Sequence, residues 1–216
     1  RIAIAILGIA AVVMTARIVR RLTRSDALGT IAGLLLALDG IHIVLSRTAL
    51  LDLVLGFWIL AGFGLLLVDR DRTRQRLADD VRRHGADRVA AGLGAFLGWR
   101  PWRIAAIVTF GLACGTKWSG IWFLAAFMAM SLVWDALSRR AIGVDHPWSV
   151  AFARDLPLAA ASTLVIGIGV YLLTWTGWFA TGTGWSRTWA AGQGASVAPD
   201  PLRSLWHYHS EMWNFH

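Results

Sequence analysis

The stretch Ala49-Leu50-Leu51-Asp52-Leu53-Val54-Leu55-Gly56-Phe57-Trp58-Ile59-Leu60-Ala61-Gly62-Phe63-Gly64-Leu65-Leu66-Leu67-Val68 carries one charge, Asp52. At 1.5 Å per residue a helix of this length reaches roughly 30 Å, the thickness of a bilayer's hydrocarbon core, so the run reads as a membrane-spanning helix. Comparable apolar segments flank it at 2–16, 27–45, 104–134 and 156–174. As one straight helix the 104–134 segment would reach roughly 46 Å, too long for a single crossing. Gly115-Thr116-Lys117-Trp118-Ser119-Gly120 interrupts it with glycines and a charge. The sequence therefore predicts two short helices there, near 104–117 and 119–134, and an all-α, polytopic transmembrane bundle of five to six helices over 1–174. Residues 175–216 contain no run long enough to cross and are expected to form an external, truncated loop.

Composition agrees. Hydrophobic residues make up 56% of the chain and charged residues 16%, against about 25% charged in a soluble domain. The mean hydropathy is +0.56. The one cysteine, Cys114, sits inside an apolar run, which excludes a disulfide framework or a thiolate metal site built from this sequence. A net charge of +8 raises the question of nucleic acid, but the arginines lie between apolar runs, as in the loops of membrane proteins. Nucleic-acid binding is set aside. If the helices alternate in direction, the loops 17–26, 69–103 and 135–155 share one face and hold sixteen of the 21 basic residues. That face is expected to be cytoplasmic. The other face receives a tight turn at Ser46-Arg47-Thr48, the break at Lys117 and the Trp-rich tail. A multi-pass protein of the cell membrane is expected, and the beginning at Arg1 and the stop at His216 read as the ends of a piece of something longer.

Ionisable groups within membrane helices are costly, so Asp39, His42, Arg47 and Asp52 are functional candidates. Arg47 at the outer interface has the planar, permanently charged fork that suits a phosphate or pyrophosphate. The alternative is that Arg47 closes a helical hairpin by pairing with Asp52 or Asp39. Lys117, the only lysine, could converge with Arg47 on one anionic head group or could snorkel to the interface. The Gly111–Lys117 stretch lacks the spacing and the preceding strand of a phosphate-binding loop, and Gly111 and Gly115 read as a helix-packing face. His207 and His209 alternate in an HxH pattern that is too little for a metal site, and no metal site is expected. The tail's Trp175, Trp178, Trp185, Trp189, Trp206 and Trp213 suit either an interfacial belt or a surface that holds a lipid or sugar.

The run Leu38-Asp39-Gly40-Ile41-His42, continuing to Ser46-Arg47-Thr48-Ala49-Leu50-Leu51-Asp52, resembles the LDG-x-H…SR-x-x-LLD segment of bacterial protein O-mannosyltransferases. Gly115–Gly120 resembles that family's (T/C)KW-x-G element, Tyr171–Trp178 its YxxTWxGW-like segment, and Leu205-Trp206-His207-Tyr208-His209 its LWHYH segment, all in the family's order. Arginine and alanine richness with a single lysine fits an actinobacterial source. The resemblance implies a GT-C fold of glycosyltransferase family 39, moving mannose from polyprenyl-phosphate-mannose to Ser or Thr hydroxyls of secreted or membrane proteins. The lipid-linked sugar would be a co-substrate, metal dependence stays open, and the partners would be the lipid donor, acceptor proteins and the secretion translocon. Carried over, Arg47 and Lys117 would bind the donor phosphate, supported by Asp39, His42, Asp52 and Trp118, while Trp178, Trp206, His207 and His209 would touch substrate from the external loop. The reaction also needs a carboxylate to take the hydroxyl proton. The family's acidic pair, expected ahead of the first helix, has no counterpart in the sequence, and nothing promotes Asp200 or Glu211 to that role. No catalytic base is identified, and this piece alone is expected to be inactive. The rival readings are a transferase acting on a glycolipid, a secondary transporter, and a noncatalytic scaffold.

Overall fold

The computed structural model describes residues 2–48, 50–91, 96–194 and 196–215, and among these every regular element is a helix. In chain order they are α1 (Ile2–Thr23), α2 (Asp26–Leu38), α3 (Gly40–Thr48), α4 (Leu51–His84), α5 (Ala86–Ala90), α6 (Pro101–Thr116), α7 (Gly120–Ala141), α8 (Pro147–Thr174), α9 (Thr176–Ala180) and α10 (Asp200–Phe215). Helices α1, α4, α7 and α8 are each long and apolar enough to cross a membrane, and α2 with α3, bent by 59°, forms a fifth, broken span. The chain is a multi-pass membrane protein. It divides into two compact units, Arg1–Tyr171 and Leu172–His216.

Several helices outrun the apolar segments that announce them. α4 runs 34 residues to His84 instead of stopping near Val68, because Asp69–His84 contains no glycine or proline to break the hydrogen-bond ladder. Gly85 ends it, with its backbone at φ +83, a conformation suited to glycine. α8 starts at Pro147, nine residues ahead of its apolar run. Pro157 within it offers no N–H and crowds the carbonyl a turn earlier, and the backbone just before it opens to a π turn in which Leu156 N–H donates to the Ala151 carbonyl. α3 continues through Ser46, Arg47 and Thr48, so these residues form its last helical turn instead of the tight turn expected of them. The 104–134 stretch holds α6 and α7, separated at Lys117–Ser119.

Specific pairs set the order of the first unit. Asp52 meets Lys117, Gly62 faces the Phe110 ring and Asp69 meets Arg100, a register that only an antiparallel α4–α6 pair gives. α7 returns antiparallel to α6, with Phe110 stacked on Phe127 at 5.5 Å and Arg103 paired with Asp135. Leu66, Ala106, Ile107, Phe110 and Met128 fill the centre. Arg21–Asp71 at 2.7 Å ties α1 to the same end as Asp69 and Asp135. That end is built from buried ions. Arg100 donates from Nε to Asp69 at 3.0 Å and from a terminal nitrogen to Asp135 at 2.6 Å. Arg139 forks onto Asp155 at 3.0 and 2.8 Å with no exposed surface of its own. Asp52 and Asp69 are 17 residues apart on α4, roughly 26 Å at 1.5 Å per residue, so the two charged layers bracket about one hydrocarbon core.

Candidate functional site

The end opposite the buried ions gathers most of the residues singled out by sequence. Asp39 ends α2 and starts α3: its own N–H donates to the Leu36 carbonyl, and its Oδ2 accepts from the His42 N–H at 2.7 Å. This is an N-cap, and it fixes the bend between the two helices. His42 turns inward, its Nε2 3.2 Å from the Gly8 carbonyl oxygen, and so anchors α3 to α1. Asp52, in the first turn of α4, pairs with Lys117 Nζ at 2.7 Å. Both side chains are about half exposed, at 52% and 50%. Trp118, next in the break, donates from its indole nitrogen to the Tyr171 hydroxyl at 3.2 Å.

These contacts resolve where the carboxylates go. Asp39 is engaged as a cap and Asp52 by Lys117, so neither pairs with Arg47. The Arg47 side chain is exposed on the last turn of α3 and has no hydrogen bond or ion pair to another described residue. A permanent cation without a counter-ion, close in sequence to a half-exposed lysine–aspartate pair, can take an anionic oxygen without first breaking an internal contact.

The second unit brings together the tail's aromatic residues. Trp175 packs edge-on against Tyr208 at 4.9 Å, and Trp185 does the same at 5.1 Å. Trp178 donates from its indole nitrogen to the Trp185 carbonyl at 3.1 Å and lies under the Arg187 guanidinium, 5.2 Å from the ring centre. His207 stacks on Trp189 at 4.1 Å, and His209 Nδ1 lies 2.6 Å from the Leu205 carbonyl oxygen. One face of the His207 ring and the Nδ1 of His209 are thus engaged within the unit. Trp206 points out from α10, 78% exposed. Among the described residues no three His, Cys, Asp or Glu side chains are grouped to hold a metal ion.

Two participants escaped sequence reading: Tyr171 as a partner of Trp118, and the buried layer of Asp69, Arg100, Arg103 and Asp135. The second had a signal, since Asp69 and Asp135 close apolar runs and Arg100-Pro101-Trp102-Arg103 opens another.

Residues 1–79 match the family model described as dolichyl-phosphate-mannose-protein mannosyltransferase. The chain is 44% identical over 218 residues to a polyprenol-phosphate-mannose--protein mannosyltransferase of Mycobacterium tuberculosis (strain ATCC 25618 / H37Rv), covering 98% of this chain and 41% of that protein. The chain belongs to the protein mannosyltransferase family. Relatives bearing the same name in Mycolicibacterium smegmatis (strain ATCC 700084 / mc(2)155) and Corynebacterium glutamicum are 42% and 32% identical, over 98% and 100% of this chain. The chain spans about 42% of the length of those two family members as well. No solved structure matches it.

Proposed function

We propose that this chain is part of a membrane enzyme that transfers mannose from polyprenyl-phosphate-mannose to Ser or Thr hydroxyls of proteins, and that Arg47 and Lys117 serve the donor phosphate. The observation that carries the site assignment is Arg47, exposed and unpaired among the described residues while Asp39 and Asp52 are engaged elsewhere. Family membership supports the reaction class, and the relatives' name supplies the donor and the protein acceptor.

In this reading the arginine-rich end lies in the cytoplasm, where short basic loops are retained, and the Asp52–Lys117 end faces outward. The acceptor hydroxyl oxygen forms a bond to the anomeric carbon, the bond from that carbon to the phosphate oxygen breaks, and polyprenyl phosphate leaves. Charge builds on the phosphate as that bond lengthens, and fixed cations aimed at it lower the barrier. Asp52 holds Lys117 in place, and the Trp118–Tyr171 hydrogen bond fixes the break beside it. The hydroxyl proton goes to a carboxylate that the family resemblance puts ahead of α1. Trp178, Trp206, His207 and His209 are proposed to contact substrate, with Trp206 the most open of them. A transporter would place its charges near the midplane. Here the charged groups lie in two layers, at Asp52 and Asp69, that bracket the apolar part of α4, which favours the transferase.

The test measures mannose transfer from radiolabelled polyprenyl-phosphate-mannose to a Ser/Thr-rich peptide, using membranes carrying the full-length parent protein or its Arg47→Ala variant at matched levels. One charge-assisted hydrogen bond is worth about 1.5–3 kcal/mol, so transfer is expected to fall roughly 10- to 100-fold. Undiminished transfer by the variant overturns the assignment of Arg47. No transfer by the parent, with a control enzyme working, overturns the activity and favours a glycolipid acceptor or transport.

A further inference from the structure

At the end of the first unit that holds the buried ions, residues 96–100 fold over the start of α6 and the early turns of α8. A groove of about 390 Å³ lies between them. Its walls are apolar, with Trp99, Ile104 and Leu158 contributing, and Arg103 lies at its base. Trp99 and Leu158 are themselves exposed, so the groove opens to the surroundings of the bundle rather than into its core.

Arg103 is the unusual element. Its side chain is only 6% exposed, and one terminal nitrogen is committed to Asp135. Its Nε has no hydrogen-bond partner among the described residues, and the nearest Asp69 oxygen is 4.0 Å away. Buried donors on a charged group are almost always satisfied, and an orphaned one asks for an explanation. The groove's own carboxylate, Asp155, does not supply it, because Arg139 takes both of its oxygens. Two further cations stand at the rim. Arg76 donates to the Trp99 carbonyl at 2.8 Å, and Arg154 lies over the Phe96 ring at 5.1 Å.

The position decides what kind of molecule fits. Asp69 and Arg100 mark the charged layer roughly 26 Å along α4 from Asp52, which is the headgroup level of one leaflet. A free phosphate would leave the apolar walls uncovered. We propose that this groove binds a phospholipid with an anionic headgroup, its phosphate accepting from Arg103 and an acyl chain lying along Ile104 and Leu158. Basic pockets between membrane helices are suited to such lipids. The site is distinct from the proposed donor end and does not depend on the activity assigned there.

The test is native mass spectrometry of the full-length parent protein in detergent with phosphatidylglycerol or phosphatidylcholine of identical acyl chains. Retention of phosphatidylglycerol over phosphatidylcholine by about fivefold or more is expected, one arginine's worth of attraction. Arg103→Gln and, separately, Ser162→Phe, which fills the groove without touching the ion layer, should each abolish that preference. Leu34→Phe, in a separate groove that lies between α1 and α2 and is lined by Val12, Ala16, Gly33 and Leu34, should not. Equal retention of the two lipids overturns the proposal, as does a preference that survives Ser162→Phe. Should Arg103→Gln fail to fold, Ser162→Phe and the headgroup comparison decide alone.

Discussion

Exchanging the charges of Asp52 and Lys117 separates a strut from a participant in chemistry. The pair is half exposed, and ion pairs of that kind contribute about 0–1 kcal/mol to stability. Lys117→Ala should therefore change the folded-to-unfolded ratio by no more than about fivefold, which leaves nearly all of the protein folded when total stability is about 5–15 kcal/mol. If Lys117 meets the leaving phosphate in the transition state, its loss should cost roughly 100- to 1,000-fold in turnover, the effect of deleting one preorganised donor to a developing anion. Asp52→Ala should cost less, since Lys117 keeps its charge and loses only its orientation. The double variant Asp52→Lys with Lys117→Asp restores the ion pair but moves the cation to α4. The assay is mannose transfer by the full-length parent protein, normalised to folded protein by size-exclusion fluorescence in detergent. Full recovery of transfer in the exchanged variant would refute the reasoning, because a pair that works in either direction is only holding α4 to α6. So would a loss in Lys117→Ala that simply tracks the amount of folded protein.

Further outcomes follow from the packing. Asp135→Ala removes a buried acceptor shared by Arg100 and Arg103 and should cost about 3–5 kcal/mol, seen as a large drop in melting temperature in detergent, whereas Asp135→Ala with Arg103→Met should recover much of it. Gly62→Ala would put a methyl carbon within 2.6–2.9 Å of three Phe110 ring atoms and should destabilise by about 1–3 kcal/mol, partly relieved by Phe110→Leu, with thermal unfolding as the readout. Asp39→Ala removes the cap of α3 and should cost about 0.5–2 kcal/mol and lower transfer, while Asp39→Asn, an equally good cap, should be close to neutral in both measurements.

Fold class was legible because a bilayer imposes length and composition together, and 49–68 satisfies both without reference to any neighbour. Helix ends were less legible. The Asp69–His84 extension of α4 is mostly charged and polar, with only Leu77, Ala78 and Val81 apolar, so hydropathy falls silent where the hydrogen-bond ladder continues. The bend at Asp39 had a local cue, an aspartate followed by glycine within an apolar run, yet the same residue also looked like a partner for Arg47. Only the three-dimensional pairing decides that question, since Lys117, the ion Asp52 selects, is 65 residues away in sequence. The Arg103 Nε, with no hydrogen-bond partner among the described residues, was invisible for the same reason: a one-dimensional reading shows which donors exist and not which go unsatisfied.

The two ionic layers on α4 also act as a gauge. With Asp52 held by Lys117 at one level and Asp69 by Arg100 at another, α4 and α6 cannot slide along each other without breaking both. A membrane thicker than the gap between the layers must thin locally, and a thinner one must tilt the bundle as one body, at a cost of fractions of a kcal/mol per ångström of mismatch. The helices thereby carry a preferred bilayer thickness, and the protein should sort toward, and work best in, membranes that match it.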